Sequence, residues 1–95
     1  MADKEAYVQK LHAKIDEWNA EIDKLKAKAE QAEADARTDY TKEVENLKTK
    51  RREAEQKLEE VREAGEGAWE DLKAGAQSAM DAMEAALKSA KSRFK

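Results

Sequence analysis

His12 is the single histidine of this 95-residue chain, and Asp16 stands one helical turn beyond it. On one helix face the two could supply half of a metal site, whereas a closed structural site needs four ligands. A di-iron helical bundle needs Glu-x-x-His motifs on two helices, and the sequence has none. There is no cysteine, so thiolate sites and disulfides are ruled out. Carboxylates are abundant, but acid–base catalysis needs a cleft and a shifted pKa. No glycine-rich phosphate loop is present, and no serine stands near the one histidine that could serve as its base. The expectation is a solvated His12, no metal or cofactor, no catalytic residue and no enzymatic activity.

Lys48-Thr49-Lys50-Arg51-Arg52 is the densest basic run. Glu43, Glu45, Glu53 and Glu55 flank it and cancel most of its field. The net charge of −3 also argues against general nucleic-acid binding. Trp18, Trp69, Met80, Met83 and Phe94 could line a ligand, but their helical spacing reads as core packing.

The elements that must carry these residues are helices. From Val8 to Ala36 the apolar residues are Val8, Leu11, Ile15, Trp18, Ile22, Leu25, Ala29, Ala32 and Ala36, in alternating steps of three and four. That is a heptad seam, which holds one helix edge against a partner. After Ala36 the steps lengthen through Tyr40 and Val44, then the seam resumes at Leu47, Arg51, Ala54, Leu58 and Val61. Extra steps of four locally unwind a supercoil. A third stripe holds Trp69, Leu72, Ala76, Met80, Met83, Leu87, Ala90 and Phe94. Arg51 occupies a seam position, either to select register or to extend its charged head to the rim.

Helical propensity is unbroken up to Ala64, with Asp3 placed to cap the start. Gly65-Glu66-Gly67 then interrupts it, and either glycine could adopt the left-handed conformation that ends helices. The sequence thus predicts an all-α fold: helix 3–64, a turn at 65–67, and helix 68–94 folded back. Arg37-Thr38-Asp39 is a possible hinge, although a continuous helix is expected there. Two architectures satisfy the three stripes. In one, helix 3–64 extends ~93 Å, and two chains pair antiparallel as a domain-swapped dimer of three-helix bundles. In the other, the chain bends at 37–39 into a monomeric three-helix bundle. The swapped homodimer is the expected form.

Charged residues make up 43% of the chain and aromatics 5%, the composition of long helices rather than of a thick globular core. No apolar run approaches a membrane span, and charge follows Met1, so a cytoplasmic location is expected. Asp16-Glu17-Trp18-Asn19-Ala20-Glu21-Ile22-Asp23-Lys24-Leu25 and Ala68-Trp69-Glu70-Asp71-Leu72-Lys73 resemble segments of small bacterial Ala/Glu/Lys-rich coiled-coil proteins known as general stress-response proteins. The resemblance runs over essentially the full length. It implies a cytoplasmic helical protein and supplies no catalytic residue. Lys26-Ala27-Lys28-Ala29-Glu30-Gln31-Ala32-Glu33-Ala34 is similar to stretches of desiccation-protective proteins.

The leading functional expectation is a structural or interaction protein, a stress-associated scaffold with an unknown protein partner. The alternative is binding to an anionic membrane surface. Residues 69–95 put the third stripe on one face and end in basic residues, the profile of an interfacial helix.

Overall fold

The computed structural model describes residues 2–94, and of Ala2 only the backbone. Met1 and Lys95, the latter counted above with the basic end, lie outside the described residues. Three helices follow one another: α1 over Ala2–Gln31, α2 over Ala34–Glu63 and α3 over Ala68–Arg93. They run up, down and up in a rod of 51 × 18 × 17 Å. A 30-residue helix is ~45 Å long, so each of the first two spans nearly the whole rod.

The continuous helix expected over 3–64 is corrected. The chain breaks at Ala32–Glu33, and residues 37–39, the possible hinge, lie in continuous helix inside α2. The break divides the segment into two helices of 30 residues each. Equal arms let α1 lay its whole stripe against the rest of the chain, and that burial outweighs the helical hydrogen bonds lost at one point. Asp3 falls inside the first turn of α1 rather than at its cap, where it still favours the positive end of the helix dipole.

The second joint falls where the glycines place it, but by another mechanism than expected. Among the described residues no glycine has a positive φ. Ala64, extended at φ −74° and ψ 147°, redirects the chain after α2. The Trp69 amide then donates to the Gly65 carbonyl at 3.1 Å, winding straight into α3. The Ala64 carbonyl accepts from the Lys4 ammonium at 2.6 Å, which ties the start of α1 to this turn. Glu70 and Asp71 open α3, and Lys91 and Arg93 close it, as its dipole favours.

The three stripes meet along one axis. Ile22, Leu47, Val61 and Met83 are the most completely enclosed large side chains, and they come from all three helices. Each such burial is worth ~1.5–3 kcal/mol before entropy is counted. An aromatic pair closes each end. Tyr7 and Trp69 meet at 5.9 Å between ring centroids beside the 64–67 turn, and Tyr40 stacks on Phe94 at 4.3 Å near the other end.

Candidate functional site

The seam itself is the candidate site, since it gathers the residues singled out by spacing. Leu11, Ile15, Trp18, Ile22 and Leu25 of α1 are buried, as are Leu47 and Leu58 of α2, Trp69, Met80, Met83 and Leu87 of α3, and Phe94 at the C-cap of α3. Tyr40 and Leu72 are half-buried and pack against that cluster. Gly65 and Gly67 lie exposed in the second joint, with open space where a Cβ would stand. Trp18, Trp69, Met80, Met83 and Phe94 are thus packed inside the bundle.

Arg51 is the exception in the seam. It is half-buried, and its guanidinium donates to the Asn19 side-chain oxygen on α1 at 2.9 Å. Its Nε is shielded from solvent and has no hydrogen-bond partner in the structure. The side chain therefore does not simply reach out to the rim. It spans two helices at one register, since a heptad slip would remove its acceptor and leave a charge among apolar neighbours.

Other polar groups cross the bundle nearer its surface. Lys91 of α3 pairs with Glu21 of α1 at 2.8 Å, and Lys14 of α1 with Glu84 of α3 at 3.8 Å. These pairs bridge an open groove of about 600 Å³ between α1 and α3, floored by Trp18 and Leu87. The Lys91 hydrogen bond draws the Glu21 carboxyl below its ordinary pKa. Arg93 pairs with Glu43, fixing the end of α3 to α2.

The heptad seam passes over Tyr7, because Val8 takes the position beside it. Its hydroxyl donates to Gln77 at 3.2 Å, and Lys73 sits 5.2 Å from its ring centroid and 5.5 Å from that of Trp69. Burial, and secondarily the charge of Asp81, raises the Tyr7 pKa. A four-residue step to Leu11 is the signal that could have placed Tyr7 on the edge of the stripe.

The residues with candidate chemistry stand apart. His12 and Asp16 approach to 3.4 Å, with both side chains more than half exposed. Among the described residues no group of three or more His, Cys, Asp or Glu could hold a metal ion. The basic run is broken up: Lys48 pairs with Glu45 at 3.5 Å, Arg51 turns inward, and Arg52 is exposed. No helix among the described residues is long and apolar enough to cross a membrane. Comparison with protein-family models, curated proteins and solved structures finds no match.

Proposed function

We propose that the chain is a non-enzymatic helical interaction protein, a stress-associated cytoplasmic scaffold that works as a homodimer. One observation carries the non-enzymatic, structural part of this reading: the large apolar side chains of all three helices are committed to one another along a single seam; the homodimer rests on the helix-forming sequence that runs across the first joint. What is left for solvent is a surface of interleaved charges, suited to a soluble assembly rather than to a reaction. The stress association rests on the sequence resemblance alone. The dimer is the antiparallel, domain-swapped form, in which each three-helix bundle takes α1 from the other chain. Sedimentation equilibrium and circular dichroism on the purified protein test the reading. A helical dimer at micromolar concentration supports it, a helical monomer removes the dimer, and a disordered monomer overturns the whole reading.

The membrane-surface alternative draws on α3, whose stripe is covered by α1 and α2 in the bundle. Lipid contact through that stripe requires α3 to leave its partners. Flotation with anionic vesicles at low salt decides it, and absence of binding removes the alternative.

A further inference from the structure

The two joints of the bundle are built differently. The second has two glycines, and its Ala64 carbonyl is held by Lys4. The first has neither glycine nor proline. From Lys26 to Arg37 it reads Lys-Ala-Lys-Ala-Glu-Gln-Ala-Glu-Ala-Asp-Ala-Arg, nearly all strong helix formers. Yet Glu33 is extended at φ −65° and ψ 157° and makes no side-chain cap for α2.

The hydrogen bonding at this break points to what holds it. The Ala32 amide reaches only the Ala29 carbonyl, at 3.3 Å. The Ala32 carbonyl, which in an unbroken helix accepts from the amide four residues on, accepts instead from the Arg37 guanidinium at 3.1 Å. The Arg37 amide donates to the Glu33 carbonyl at 2.8 Å, which starts α2. The Arg37 side chain therefore substitutes for a backbone donor lost through the bend.

The seam does not recognise the bend. Ala29, Ala32 and Ala36 continue it straight through the joint in steps of three and four. A segment that serves only as a loop has no need of seam phase, whereas a segment that can be helix in a second state does.

We infer that the Ala32–Glu33 joint is a two-state hinge latched shut by Arg37, and that its open state delivers α1 to a second copy of this chain. This deepens the homodimer reading and rests on it for the partner. When the hinge winds into helix, the Ala32 carbonyl takes the Ala36 amide and Arg37 is released. α1 then points away from its own α2, which bares both stripes. Only another open chain presents the complementary surface, with an Asn19 for each Arg51, a Glu21 for each Lys91 and a Tyr7 for each Trp69. The open state is thus populated as a dimer and its share rises with concentration.

Two variants test the latch against the wild type by sedimentation velocity from micromolar to millimolar concentration, with circular dichroism as a check on folding. Ala34→Pro fits the shut joint, because proline is favoured at the first position of a helix and requires an extended residue before it, as Glu33 already is. It blocks the continuous helix. Arg37→Ala removes the latch and keeps helical propensity. The expected result is a monomeric Ala34→Pro and an Arg37→Ala whose dimer dissociation constant falls by roughly tenfold, as for two solvent-exposed hydrogen bonds released per dimer, each at the low end of the usual range. An Ala34→Pro variant that dimerises like the wild type overturns the hinge while leaving a homodimer standing. A monomeric wild type with a dimeric Arg37→Ala supports the hinge and removes the native dimer. Helical monomers in all three samples overturn both.

Discussion

Arg51 donates to Asn19 across the α1–α2 interface at 2.9 Å, and it does so from a position in the apolar seam. Half-buried charges of this kind add little net stability, yet removing one partner is costly because the other is stranded. Asn19→Leu should therefore destabilise the protein by ~1–3 kcal/mol. Adding Arg51→Leu should restore wild-type stability or exceed it, since an apolar pair then replaces a polar one. Urea denaturation of both single variants and the double variant measures the coupling. Simple additivity would mean that the pair does not act as a unit.

Trp69 is 6% exposed and lies against Tyr7 and Lys73, whereas His12 faces solvent. Trp69→Ala should cost ~3 kcal/mol. His12→Ala should fall within ~0.5 kcal/mol of the wild type. Thermal melts of the two variants compare them directly, and equal shifts would place the core elsewhere.

Gly75 lies in the interior of α3, exposed and with nothing near the position of a Cβ. Gly75→Ala should stabilise the protein by ~1 kcal/mol through helix propensity alone. Gly65→Ala should be tolerated, since its φ is not positive and the space beside it is open. A large loss at Gly65 would show that the turn needs a left-handed residue after all.

The depressed pKa of Glu21 gives a pH dependence of known sign. A carboxyl whose folded pKa lies below its unfolded value stabilises the fold above the unfolded pKa, and that contribution is lost as pH falls through the folded one. Lys91→Ala should raise the Glu21 titration midpoint toward the ordinary carboxylate value. It should also flatten the acid limb of the stability profile. NMR titration of the Glu21 carboxyl carbon checks the first, and an unmoved midpoint contradicts the pairing.

Much of this architecture is legible in the spacing of apolar residues. The residues from Leu11 to Leu25 and the third stripe from Trp69 to Phe94 follow heptad steps, and burial follows those steps because only one edge of each helix can be covered. The position of the first joint is not legible, because Ala32 and Glu33 are helix formers without a stop signal and tertiary burial overrides their preference. The Asn19 side of the Arg51 pair is equally hidden, since a polar residue beside the seam resembles any solvated one until the register of α1 on α2 is known. Tyr7 escaped because Val8 satisfies the period beside it.

The proposed exchange of α1 between two chains runs through the Ala32–Glu33 joint. His12 and Arg62 line one shallow groove in the shut bundle, although one belongs to α1 and the other to α2. In the open chain they are separated by fifty residues of helix, or ~75 Å. With no native cysteine, spin labels at His12→Cys and Arg62→Cys report this distance within one chain once it is diluted into unlabelled protein. Pulsed electron paramagnetic resonance on the dimer should find the long distance. A dimer that holds only the short distance would contradict the exchange.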